Sequence, residues 1–211
     1  MAKNSKEEAI IFKIITIGDS NVGKTSIIKR YIDNRFFENT LTTIGMSKSQ
    51  KEIVLNNGQK IFLNLTDTAG QERYKAMNRQ YLKNIDGVLF VFDLSEIKTF
   101  NNIKMWMNFF KDNYTGKDNI PKYLIGNKKD LLKEVDQDKI DIFLEDNQDF
   151  FCKYKQTSAK EEDNQINELF QEMGELLYKV NKKYMNKKSK NIKLSSLKEE
   201  KKTCALVKCL V

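Results

Sequence analysis

The sequence predicts an α/β protein: a mainly parallel sheet of about six strands in three α/β/α layers, with one antiparallel strand at the sheet's edge. Three observations predict it. Short apolar runs alternate with stretches of helical spacing from Phe12 to Leu177. The run Gly87-Val88-Leu89-Phe90-Val91-Phe92 is unbroken, as a strand covered on both faces must be. Each polar motif follows an apolar run, and in such sheets ligands bind at the carboxyl ends of the strands.

The first strand is Phe12 to Ile17, and Ser26 to Ile32 has helical spacing. Between them lies Gly18-Asp19-Ser20-Asn21-Val22-Gly23-Lys24-Thr25, which reads G-x-x-x-x-G-K-S/T, a phosphate-binding loop in its required strand–loop–helix context. Gly18 and Gly23 let the backbone curl so that successive N–H groups face phosphate oxygens. The helix that follows aims its positive end at the same point. Lys24 supplies a mobile cation, and Thr25 an oxygen ligand for Mg2+. These eight residues and Ser26 are the candidate phosphate-binding set.

Asp33 to Met46 is polar and without periodicity, long enough to be functional rather than a simple connection. Ser49 to Leu55 and Lys60 to Leu65 read as an antiparallel pair joined at Asn56-Asn57-Gly58. A loop at 67–72 precedes an expected helix from Tyr74 to Lys83. Phe100, Ile103, Met107 and Phe110 form one helical stripe. Pro121 introduces a strand at Tyr123 to Gly126, and Ile140, Phe143 and Leu144 mark another helix. The last strand is expected at Phe151 to Thr157, and Ile166, Leu169, Phe170, Met173, Leu176 and Leu177 form the last core helix. Domain boundaries follow: a flexible N-terminus at 1–9, one domain at 10–183, and a disordered basic tail at 184–211.

Charge separates the last two. The chain of 211 residues carries a net +8; residues 179–211 hold eleven lysines against two glutamates, a net +9, which leaves −1 for the rest. A nearly neutral domain argues against nucleic-acid binding, and the tail points to an anionic surface. There is no histidine, so His-based triads and His-containing metal sites are excluded, and three cysteines (Cys152, Cys204, Cys209) do not make a disulfide scaffold. Cys152, at the start of a strand, is expected to be a buried packing thiol. No signal-peptide core opens the chain and no apolar run approaches ~20 residues, so a cytosolic protein is expected, held on any membrane by something other than a span.

Two later motifs narrow the ligand. Asn127-Lys128-Lys129-Asp130 follows a buried strand. A carboxylate is acceptor-only and suits guanine, whose N1–H and exocyclic amine both donate; adenine offers no such pair. Asn127 reads the purine edge beside Asp130, and Lys128 can lay its stem over the base. In Thr157-Ser158-Ala159-Lys160, backbone N–H groups can meet the guanine carbonyl oxygen, with Ser158 also placed as a helix N-cap.

These motifs, in order with Thr43-Ile44-Gly45 and Asp67-Thr68-Ala69-Gly70-Gln71-Glu72, resemble those of the Ras-superfamily small GTPases over about residues 10 to 180. Within them the chain looks most like the Rab family, on Gly18-Asp19-Ser20, Thr43-Ile44-Gly45, Gln71-Glu72-Arg73-Tyr74, Trp106 and the basic tail with late cysteines. The resemblance implies a GTP/GDP switch with a P-loop G domain. Thr25, Thr43 and Asp67 would serve Mg2+, Asp67 through water. Thr43 and Gly70 would reach the γ-phosphate, Gln71 would orient the attacking water, and Phe36 would cover the base. Ser158, Ala159 and Lys160 complete the base site. With no arginine finger apparent in the chain, slow hydrolysis is expected, with an activating protein, an exchange factor, effectors and a prenyl-binding chaperone as partners. The implied role is vesicle traffic on the cytosolic face of an intracellular membrane, by lipidation of Cys209 and Cys204 beside the basic stretch. Ras-like signalling, or a nucleotide-bound interaction protein with little hydrolysis, is the alternative.

Two departures stand out. Rab-like proteins usually show three aromatics between their switches; here Lys48 and Thr66 take two of the places and only Tyr81 is aromatic. Lys208 occupies the position a C-a-a-X box reserves for cysteine. A divergent effector surface is expected.

Overall fold

The computed structural model describes residues 9–37, 46–68, 79–117 and 119–183. The chain divides into two compact units, Met1–Glu175 and Leu176–Val211. In the second, residues 176–183 are described and are helical.

The first unit is built on a six-stranded sheet in the order β2-β3-β1-β4-β5-β6. The strands are β1 (Ile11–Ile17), β2 (Met46–Val54), β3 (Lys60–Thr68), β4 (Gly87–Asp93), β5 (Lys122–Asn127) and β6 (Lys153–Gln156). β2 runs antiparallel to β3, and every other pairing is parallel. The helices are α1 (Lys24–Asp33), α2 (Ile97–Asn101), α3 (Ile103–Asn113) and α4 (Gln137–Asp146), with α5 over 165–175 of this unit. After β1 the chain goes out to the edge strand β2 and returns inward through β3, then crosses to β4 on the other side of β1. The loop after β1 therefore opens at the point where strand order reverses, the usual ligand crevice of such sheets.

Strand periodicity assigns the two faces. Ile15, Ile17, Val88, Phe90, Phe92 and Leu124 share one apolar cluster with Phe100, Ile103, Trp106, Met107, Phe110, Ile140 and Phe143 of α2, α3 and α4. Alternate positions such as Ile14, Leu89 and Val91 are also fully buried, so both faces of the sheet are covered. On that second face Tyr31 of α1 stacks on Phe170 of α5, ring centroids 4.1 Å apart.

Several boundaries differ from expectation. The hairpin's last pair is Val54 with Lys60. Gly58 N–H donates to the Leu55 carbonyl at 2.8 Å and Gly58 has φ 80°, so Asn56-Asn57-Gly58 form a three-residue turn ending in a left-handed glycine. The stripe from Phe100 to Phe110 is two helices, broken at Asn102. Of the helix expected over 74–83, residues 74–78 lie outside the described set; Arg79–Leu82 form a single 3-10 turn, ended by Asn84 at φ 56°. The last strand is shorter than 151–157, because Phe151 N–H bonds back to the Asn147 carbonyl at 3.1 Å rather than joining the sheet. Cys152 is exposed, not buried, with its thiol donating to the Lys122 carbonyl at 3.4 Å: it sits ahead of the strand rather than in it. Among the described residues no helix is long and apolar enough to cross a membrane.

Candidate nucleotide-binding site

Four strand ends converge on the loop after β1. Gly23 starts α1 at φ 93°, a conformation open to glycine; a Cβ there would lie 2.2 Å from Asn127 Nδ2. At Gly18 a Cβ would lie 2.1 Å from the Val91 carbonyl oxygen of β4. Gly18 is thus fixed by the β4 main chain, and Gly23 by its positive φ and the Asn127 amide. Lys24 is 4% exposed and donates to the Gly18 and Asp19 carbonyls at 3.0 and 2.6 Å. Burial pushes its ammonium down to about 8, against the opposing attraction of Asp67 and Asp19. Curled back on its own loop, the cation sits where phosphate oxygens would replace those carbonyls as its partners.

Thr25 Oγ1 donates to Asp67 Oδ2 at 2.6 Å, joining the start of α1 to the end of β3. A hydroxyl and a carboxylate meeting there are hard oxygen donors. Among the described residues no group of three or more His, Cys, Asp or Glu is placed to hold a metal. Such donors fit Mg2+, a hard cation bound through oxygen that keeps several waters.

The base-reading motif is locked to both neighbouring loops. Asn127 is 1% exposed; its Nδ2 donates to the Val22 carbonyl at 2.9 Å, and its Oδ1 accepts from Thr157 Oγ1 at 3.1 Å. One amide thus ties the phosphate loop to the loop after β6. The site around it holds Lys128 at φ 61°, with its ammonium on Asp93 Oδ2 at 2.7 Å. Asp130 Oδ1 accepts from Ser158 Oγ at 2.6 Å, and Ser158 Oγ in turn accepts from the N–H groups of Lys160 and Glu161, both at 3.1 Å. Asp130 remains exposed while Ser158 and Ala159 are buried, so the carboxylate is oriented yet open to a ligand. Phe36 is half-buried, whereas Phe37 is 47% exposed beneath the Lys29 ammonium at 5.3 Å from its ring centroid.

The structure brings together the 18–26 set, Asp67, Asn127, Lys128, Asp130 and Ser158 to Lys160 at one end of the sheet. Thr43, Gly70 and Gln71 lie outside the described residues, as do Cys204 and Cys209. Of four supporting residues, Arg30 and Asp93 escape motif reading, while Thr157 and Trp106 stand in quoted motifs without these roles. Arg30, 6% exposed, donates from Nε to the Ala159 carbonyl at 2.9 Å and from Nη2 to the Lys160 carbonyl at 3.1 Å. Thr157 holds Asn127, and Asp93 holds Lys128. Trp106 donates from Nε1 to Asp19 Oδ1 at 2.7 Å. Arg30 and Asp93 did leave a signal: each is a charge at a position the apolar pattern marks as buried.

A family model described as the Ras family matches residues 13–179. The chain is 40% identical over 173 residues to the Ras-related protein Rab-32C of Dictyostelium discoideum, covering 81% of this chain and 75% of that one. It is 34% identical over 175 residues to the Ras-related protein SEC4 of Saccharomyces cerevisiae, covering 82% and 78%. The Ras-related protein Rab-33A of Mus musculus is 41% identical over 126 residues, covering 59% and 52%.

This chain is a Rab-like GTPase of the Ras family. Family membership implies guanine-nucleotide binding and GTP hydrolysis, with exchange, activating and effector proteins as general partners. The two departures noted in the sequence, Lys48 and Thr66, pair across strands. Lys48 is exposed on β2 directly opposite Thr66 of β3, which is 2% exposed. Tyr81 is half-buried and packs against the α2–α4 apolar cluster.

Proposed function

We propose that this Rab-like GTPase is a slow, Mg2+-dependent switch that regulates vesicle traffic from the cytosolic face of an intracellular membrane. The observation that carries the nucleotide part is the Asn127 amide, bonded at once to Val22 and Thr157. It aligns the phosphate loop with the base-reading loops, and Asp130 beside it is an acceptor-only group suited to guanine. In this reading residues 10–183 form the GTPase domain and 184–211 its basic tail, with Cys209, and Cys204 beside it, as lipid acceptors.

Phosphoryl transfer needs positioning and charge neutralisation more than a strong base. Lys24 exchanges the Gly18 and Asp19 carbonyls for phosphate oxygens. Thr25 and Asp67 would hold Mg2+, which when bound neutralises charge on the phosphates. Gln71 orients the attacking water, and Thr43 and Gly70 sense the γ-phosphate, so its loss releases both segments. Phe36 covers the base, and backbone groups at Ser158 to Lys160 meet its carbonyl.

Competition between GTP and ATP tests the base assignment: GTP should win by at least about a hundredfold, and Asp130→Asn should erase most of that margin. Equal competition by ATP would sink it. Single-turnover hydrolysis by Gln71→Leu should fall at least about tenfold with binding retained; an unchanged rate removes Gln71 from the reaction. Mass spectrometry of the C-terminal peptide from native cells tests the anchor, and two free thiols would refute it.

A further inference from the structure

Asp19 lies second in the phosphate loop, and its side chain turns to Asn102 and Trp106. Oδ1 accepts from the indole N–H of Trp106 at 2.7 Å, and Oδ2 accepts from Asn102 Nδ2 at 2.6 Å. Asp19 is 8% and Trp106 2% exposed. The indole is donor-only, and the amide also presents a donor, so both positions demand an acceptor; a carboxylate satisfies both and an amide in its place would not. Bonds to an ionised group are the stronger kind, and buried ones are costly to break.

Asn102 makes the arrangement more telling. It is the N-cap residue of α3, and asparagine is among the side chains that usually cap a helix. Here it makes no capping bond and gives its amide to Asp19 instead. The helix break between α2 and α3 falls at this same residue. The backbone of Asp19, meanwhile, is one of the two carbonyls that hold Lys24. One residue therefore faces α3 with its side chain and the phosphate-binding cation with its main chain.

We infer that Asp19 is a positioning residue through which α3 sets how long the nucleotide stays bound. Trp106 and Asn102 hold the carboxylate, the carboxylate holds the Gly18–Asp19 peptides in register, and those peptides keep Lys24 over the phosphate cradle. Displacing α3 at Trp106 loosens the cradle without touching the ligand. This rests on the guanine-nucleotide reading, but it concerns release rate rather than ligand identity.

The test is GDP release from the full chain, followed with a fluorescent GDP. Asp19→Ala and Trp106→Phe should each hasten release on the order of tenfold. The double variant should be no faster than Asp19→Ala alone, because that change already removes the bond lost in Trp106→Phe. Asn102→Asp, which sets a second carboxylate against Asp19, should release fastest of the single variants. In the unaltered chain the emission of Trp106, the one tryptophan, should shift when EDTA drives GDP off, since its N–H partner belongs to the phosphate loop. Release rates unchanged in the singles, effects that multiply in the double, or an emission indifferent to GDP would each overturn the inference. Absence of GDP binding in the unaltered chain would instead refute the nucleotide reading. Should the substituted proteins fail to fold, the emission measurement alone still decides.

Discussion

The nucleotide end of the sheet and the outer surface of β2 and β3 obey different rules. At the first, Asn127, Thr157, Ser158, Arg30, Asp19 and Asp67 are polar groups nearly closed to water, each bonded to a different element. A buried polar group left without its partner costs ~1–3 kcal/mol, so each residue there restricts its neighbours. On the second, Lys48, Gln50, Glu52 and Val54 stand exposed along an edge strand, with Glu52 held by a surface ion pair to Lys60 at 3.0 Å. The difference explains why the five nucleotide motifs read as family-like while Lys48 does not; Thr66, buried opposite it, is not explained by exposure. Chemistry is held by internal bonds; partner choice is held by whatever lies outside.

Substitutions can break that contrast or sharpen it. The largest effect belongs to Gly23→Ala, where a methyl group meets Asn127 Nδ2 at 2.2 Å and the backbone sits at φ 93°. Purified protein should then carry no bound nucleotide, as chromatography of the released bases would show. Asn127→Ala comes next. It strands the Val22 carbonyl and the Thr157 hydroxyl together, so nucleotide affinity should drop roughly a hundredfold and the denaturation midpoint should fall as well. Arg30→Met keeps the aliphatic stem but frees the Ala159 and Lys160 carbonyls. A loss of ~1–2 kcal/mol in calorimetric GDP binding is expected, smaller than that of Asn127→Ala because the loop retains its Ser158 bonds. The smallest effect belongs to Lys48→Phe. Stability should stay within about 0.5 kcal/mol and GDP affinity should be unchanged. A large nucleotide effect there would erase the distinction between the two regions.

Much of this was legible in the sequence, for reasons that vary by residue. The parallel sheet followed from the unbroken run at 87–92, since only a strand covered on both faces can be apolar throughout. The phosphate loop was legible because glycine spacing and one lysine encode backbone geometry directly. The break at Asn102 was not, because its apolar neighbours keep helical phase across the junction; what parts the helices there is a residue whose side chain answers to Asp19, eighty-three positions earlier. Arg30's charge at a buried position was visible, but its partners were not: they are main-chain carbonyls near residue 160, which carry no side-chain signature. Cys152 misled because burial depends on whether a residue enters the sheet, and strand ends are where local pattern is weakest.

The order of the site along the chain has a consequence during synthesis. The phosphate loop, residues 18–25, is made early, but the groups that brace it, Asn127 and Thr157, come over a hundred residues later. At translation rates of about 5–20 residues per second, that interval is roughly ten seconds. Throughout it the loop has its glycines and its lysine but no frame to hold them. A ribosome-bound chain stalled before β5 should therefore retain no GTP, and the nucleotide can report the moment when the last strands have docked.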